Sequence, residues 1–199
     1  PTTALELTTK QYVDNIVASG VSYHTPVRLE SPNTAGNLSA TYNNGTAGVG
    51  ATLTNAGTQV ALTVDGVATV VNDRVLIYNQ TNAVENGVYT VTDIGSGSTN
   101  WVLTRATDAN SYGVGANALD EGSAFFVTSG NTGAGETYVC NTSGTITFGT
   151  TPITFAQISS VQVYTAGTGL TLTGTQFSLT TPVTAALGGT GQSSYTTGD

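Results

Sequence analysis

"DRVLIYNQTNAVENGVYTVTDI", residues 73–94, is the stretch whose reading decides the fold. Its two outer runs, residues 73–80 and 86–94, are dense in Val, Leu, Ile, Tyr and Thr, side chains that suit a pleated, half-buried surface. Between them lies a loop, residues 81–85, and Asn86-Gly87 is a strong turn signal. The spacing predicts a pair of strands.

The same punctuation recurs on both sides. "QVALTVDGVATVV", residues 59–71, alternates Val60, Leu62 and Val64 ahead of Asp65-Gly66, the dipeptide of a type I′ hairpin. Further short apolar runs follow at 100–107, 123–130, 136–144, 145–150 and 153–158. Turn signals arriving about every ten residues predict a β-sandwich or barrel over residues 21–160. Tyr89, Trp101, Phe125, Tyr138, Phe148 and Phe155 fall inside the runs and form its expected core. About 140 residues suffice for one.

Both flanks lack a core of their own. Residues 1–20 read as a helix: Thr3 with Glu6 makes a capping box, and Gly20 suits the C-terminal cap. Leu5, Thr9, Tyr12, Ile16 and Ser19 form its stripe, with Val13 and Val17 beside it. A helix of about 15 residues is marginal alone in water, so it packs on its own β domain or on copies of itself. Residues 161–199 read as a thin Thr/Gly-rich shaft, with Leu170 and Leu172, then Phe177 and Leu179, on alternating apolar faces. A lone two-stranded hairpin is barely stable in water. Leu5, Tyr12, Ile16, Leu170, Leu172, Phe177 and Leu179 are therefore the candidates for contact between copies. The fold class is mainly β: a short N-terminal helix, a β-sandwich or barrel module and a thin β stretch, with flanks that call for contact with the β module or with other copies.

Composition narrows the function. Charged residues make up 8% of the chain, the net charge is −8, and the only cations are Lys10, Arg28, Arg74 and Arg105. A nucleic-acid partner requires clustered Lys and Arg, so that class is excluded. No apolar run reaches the roughly 18 residues of a membrane span, and no signal peptide is visible. Beginning with Pro rather than Met, the chain reads as a piece of a longer polypeptide.

The glycines of "LGGTGQSS", residues 187–194, invite a nucleotide reading that fails. A phosphate loop needs a lysine after its last glycine, and the single lysine is Lys10. The dinucleotide fingerprint fails at Ser194, where it needs a third glycine. Asp108, Asn110 and Gly113 begin like a calcium loop, but Tyr112 stands at a ligand position and Leu119 replaces the closing Glu. Neither a cofactor nor a metal is expected. His24 is the only histidine and no nucleophile motif accompanies it, so no catalytic residue is assigned. Cys140 reads as a small half-buried side chain rather than a nucleophile. One loop, "RATDANSYGVGANALDEG" at 105–122, gathers Arg105, Asp108, Tyr112 and Asp120. It is either a plain solvated connection or a contact loop for a polar ligand such as a sugar.

Three phrases together resemble tail fibre proteins of tailed bacteriophages. "ALELTTKQYVDN" (4–15) is similar to a helical joint between shaft modules. "DRVLIYNQTNAVENGVYTV" with "WVLTRATDAN" (73–91 and 101–110) resembles a β module of such fibres, in which "NGVY" precedes a Trp and an "RATD". Residues 166–199 resemble the shaft that follows. The likeness spans most of the chain except residues 31–58 and supplies no catalytic motif. It implies a homotrimer in the virion that contacts other tail or baseplate proteins and takes part in reaching a host surface, including its glycans. A glycan-cleaving tailspike and a bacterial surface adhesin are the alternatives. Glycine then has a structural meaning, as the residue that fits where three backbones crowd an axis.

Overall fold

The computed structural model describes residues 20–32, 37–115, 117–159, 166–173, 176–179, 186, 188 and 189. The helix read over 1–20, with Leu5, Tyr12 and Ile16, lies outside them apart from Gly20. The chain divides into two compact units, Pro1–Val161 and Gln162–Asp199.

In the first unit the strands are β1 (Ser22–Tyr23), β2 (Leu29–Glu30), β3 (Ala40–Asn43), β4 (Thr52–Asn55), β5 (Thr63–Val64) and β6 (Val67–Ala68). They continue with β7 (Arg74–Ile77), β8 (Gly87–Asp93), β9 (Val102–Arg105), β10 (Ser123–Phe126), β11 (Thr137–Cys140) and β12 (Phe155–Ser159). One sheet has six strands in the order β2-β7-β8-β9-β4-β3 and another four in the order β1-β10-β11-β12, while β5 and β6 form a hairpin. Both larger sheets are open, so of the two expected architectures the layered one forms.

The opening stretch builds the middle of the six-stranded sheet. Strands β7 and β8 pair antiparallel, with Val75 opposite Tyr89 and Leu76 opposite Val88. Opposite residues share a face. Leu76 and Val88 therefore join Phe125, Tyr138 and Cys140 of the four-stranded sheet in one core, completed by Val27, Ile146, Phe148 and Ile153. Val75, Ile77, Tyr89 and Val91 face the other way, into a second core with Leu53, Trp101 and Leu103. The hairpin covers that core with Leu62 and Val64. A strand buried on both faces reads as a continuous apolar run, and that is why "RVLI" does not alternate.

Asp65-Gly66 makes the predicted hairpin turn, with φ of 46° and 71°. Positive φ at both positions is the type I′ signature. The strain at Asp65 is held by its carboxylate, which accepts from the Thr132 amide and hydroxyl, both at 2.8 Å, and from the Gly133 amide at 2.9 Å. Asn86-Gly87, by contrast, is not a hairpin turn. Asn86 is buried and extended after a 3-10 turn at Ala83–Glu85, and Gly87 begins β8. The Asn86 amide donates to the carbonyls of Tyr78 (3.1 Å) and Ile153 (2.9 Å) and accepts from the Gln80 amide (3.0 Å). It ties the β7–β8 loop to both sheets.

Strands β1 and β12 are the two edges of the four-stranded sheet. Strand β1 runs parallel to β10, β10 antiparallel to β11, and β11 antiparallel to β12. The incoming and outgoing edges therefore point the same way. The chain enters this sheet at one end and leaves it at the other.

In the second unit, β13 (Leu170–Thr173) and β14 (Gln176–Leu179) form an antiparallel pair. Leu170 lies opposite Leu179 and Leu172 opposite Phe177. The period of two then puts all four apolar side chains on one face of the hairpin.

Candidate functional site

The loop residues singled out from sequence do not converge. Arg105, one of the candidate contacts in that loop, is 2% exposed. Its guanidinium donates to the Asn86 carbonyl and the Tyr89 hydroxyl, each at 2.9 Å, and to the Tyr42 hydroxyl at 3.4 Å. The cation lies 4.8 Å from the Tyr89 ring centre and 5.0 Å from that of Phe148. Cation–π attraction strengthens when both groups are desolvated. Arg105 is a core strut, and the reason is its register. It stands opposite Tyr89 on β9, two residues beyond Leu103 on the inward face. Trp101, Leu103 and Arg105 continue one alternation, a signal that the loop-like text after it conceals.

Gly87 makes that placement possible. A Cβ there would lie 2.0 Å from Arg105 Nη1. The phrase "NGVY…W…RATD" thus encodes internal wiring: Asn86 pins a loop, Gly87 admits Arg105, Tyr89 receives it, and Trp101 fills the second core. Asp108 completes the set, for both its oxygens accept from Arg74, at 2.8 and 2.9 Å. Asp120 accepts from the Ser123 hydroxyl at 2.8 Å. Tyr112 alone points outward, 46% exposed. The calcium-like start is spent on an ion pair, and among the described residues no group of three His, Cys, Asp or Glu is placed to hold a metal.

Other ionisable groups are buried. Cys140 is fully buried rather than half-buried, and burial pushes its thiol up, away from the thiolate a nucleophile needs. His24 packs on Phe125 with ring centres 4.6 Å apart, and neither ring nitrogen has a hydrogen-bond partner. Burial lowers its pKa, against the pull of Asp108 and Asp120, so the neutral ring is favoured.

Glu30 is the least anticipated of these groups. It is 1% exposed, and its Oε2 has no partner. Burial, reinforced by the carboxylates of Asp65 and Glu136, pushes its pKa up to about 7, against a hydrogen bond with Tyr78. The Tyr78 and Tyr138 hydroxyls lie 3.1 Å apart, and Tyr138 donates to Glu136 at 2.7 Å. With its proton, Glu30 can donate to Tyr78, Tyr78 to Tyr138, and Tyr138 to Glu136. Without it, Tyr78 must turn its hydrogen toward Glu30, and the tyrosine pair is left with no hydrogen between its oxygens. The arrangement suits a neutral acid. No polar pattern in "VRLES" announces it.

A cleft of about 330 Å³ lies beside β4 and the β5–β6 hairpin, lined by Leu38, Ser39, Asn55, Val60, Leu62 and Trp101 among others. Its size is at the low end for ligand pockets. Trp101 is only 4% exposed, so its ring face is not presented for stacking. The Asn55 amide is committed to the Thr58 carbonyl and the Gly57 amide, both at 2.9 Å. Asn37 is committed to Leu38 and Thr81. The groups that would orient a ligand are already holding loops.

The shaft candidates lie on the β13–β14 pair. Leu170, Phe177 and Leu179 are 40%, 43% and 63% exposed, and Leu172 is half-buried. No family model matches the chain, and neither a curated protein nor a solved structure does.

Proposed function

We propose that this chain is a structural segment of the tail fibre of a tailed bacteriophage, a homotrimer in the virion that spaces and orients a host-binding tip. The observation that carries the reading is the through-running path of the first unit. Edges β1 and β12 point the same way, so the module takes the chain in at one end of a sheet and hands it on at the other. A module of that topology can be strung along a shaft without folding the path back. The apolar face of the β13–β14 hairpin adds to it, because threefold association would give this thin pair a core. Lys10 apart, the cations Arg28, Arg74 and Arg105 are engaged by Asp73, Asp108 and the interior. The role is mechanical rather than catalytic, with other tail or baseplate proteins at the ends and the host surface, including its glycans, reached through the tip.

Light scattering on the full chain at micromolar concentration tests this. The reading expects a mass three times the 20.1 kDa of one chain. A clean monomer would overturn it.

A further inference from the structure

The outward face of the four-stranded sheet is built as deliberately as its inward one. Phe125, Tyr138, Cys140 and Phe155 point into the core. By the register, Tyr23 stands beside Ala124, Ala124 beside Val139 and Val139 beside Ala156, while Phe126 stands beside Thr137. These residues line the opposite face. Tyr23 is 68% exposed and Phe126 41%, and Val21 and Ile158 at the two edges are 48% and 54% exposed. Among the described residues this strip carries no carboxylate; Ala124 and Thr137 within it are buried, and Val21, Tyr23, Phe126 and Ile158 stand out from it as its exposed apolar groups. Exposed apolar patches of that kind mark interaction surfaces rather than ordinary exterior.

We propose that this face is a contact surface for a second copy of the same chain. Charge points to that occupant. With a net charge of −8, two copies repel through most of their surface, and approach is easiest where neither presents a carboxylate. A charged partner would find no counter-ion here, since the strip offers only aromatic, aliphatic and hydroxyl groups. Chain continuity points the same way, and here the inference rests on the fibre reading. The strip is bounded by β1 and β12, the strands that lead from residues 1–20 and into residues 161–199, which hold the candidates named above for contact between copies. Copies held together at both flanks bring their β1–β12 sheets side by side.

The test uses the full chain carrying Phe126→Glu with Ile158→Glu, compared by sedimentation equilibrium with the unaltered chain and with Val114→Glu. Val114 is 67% exposed and stands outside the strip. Both altered strip positions are already exposed, so circular dichroism is expected to show an intact fold. Association should weaken roughly tenfold or more in the double variant and stay unchanged in Val114→Glu. Hydroxyl-radical footprinting of the unaltered chain gives a second reading: Tyr23 and Phe126 should be protected in the assembly and reactive on dilution. If the unaltered chain is monomeric, the fibre reading falls and this assignment with it. If it assembles and the double variant assembles equally well, only the assignment falls. Equal protection of Tyr23 in dilute monomer would mean that the chain covers its own strip, which also overturns it.

Discussion

Arg105 shows how a single side chain can look like function and be architecture. Its guanidinium replaces water with a carbonyl, phenol hydroxyls and two ring faces. Removing it strands the Asn86 carbonyl in the interior, takes a donor from the Tyr89 hydroxyl, which keeps its own bond to the Glu85 carbonyl, and leaves a cavity. We therefore expect Arg105→Ala to cost about 3–5 kcal/mol, read as a shift of the urea midpoint. Arg105→Lys should recover little of that, because an ammonium lacks the planar fork. Gly87→Ala should cost a comparable amount by driving a methyl into Nη1 of Arg105, whose two terminal nitrogens are held by the Asn86 carbonyl and the Tyr89 hydroxyl. In the background of Arg105→Ala, the part of the Gly87→Ala penalty that comes from this contact should vanish, leaving the backbone strain of an alanine at φ 150°. Additive penalties would contradict the wiring, since coupling is the signature of groups in direct contact.

At the scale of elements, the joint between β2 and the loop before β11 makes stability depend on pH. Glu30 keeps its proton to about pH 7 in the fold, against an ordinary value of 4.5. The folded state thus binds a proton that the unfolded chain has released. That contribution is full below pH 4.5 and is lost as pH rises through 7. It amounts to roughly 3 kcal/mol. His24 acts in the opposite sense. Its pKa is lowered below 6.5, so its contribution is full above 6.5 and declines as pH falls. The two groups therefore pull in opposite directions, Glu30 setting the alkaline limb of the stability profile and His24 acting on its acid limb. Glu30→Gln should flatten the alkaline limb and leave the acid limb in place, as measured by melting temperature across pH. An unaltered alkaline slope would show that Glu30 is ionised throughout. Neither limb could be read in the sequence, because burial of Glu30 depends on Tyr78, Gly133 and Tyr138, more than forty positions away. What was legible at this scale was local: the alternation of Val60, Leu62 and Val64, and the positive-φ turn at Asp65-Gly66. Asn86-Gly87 carried the same local signal and was used differently, because a distant arginine needed the space.

At the scale of the whole molecule, the β character and the position of the aromatic core followed from composition and turn spacing. Burial confirms Tyr89, Trp101, Phe125, Tyr138 and Phe148 inside, with Phe155 packed against them. Hidden in the sequence were the parallel pairings of β1 with β10 and β2 with β7, each of two residues, too short to leave a period. Yet the first of these sets the direction in which the chain passes through the module, and with it the functional reading. A fibre segment requires that copies lie side by side and point the same way. Cys140 is buried, so an added surface cysteine can carry a spin label selectively. Labels at Tyr23→Cys and, separately, at Thr171→Cys report on the two ends of the path. A parallel threefold assembly predicts one short intersubunit distance from each label, because three equivalent positions form an equilateral triangle. No dipolar coupling at either position, or two distinct intersubunit distances from a single label, would contradict the account.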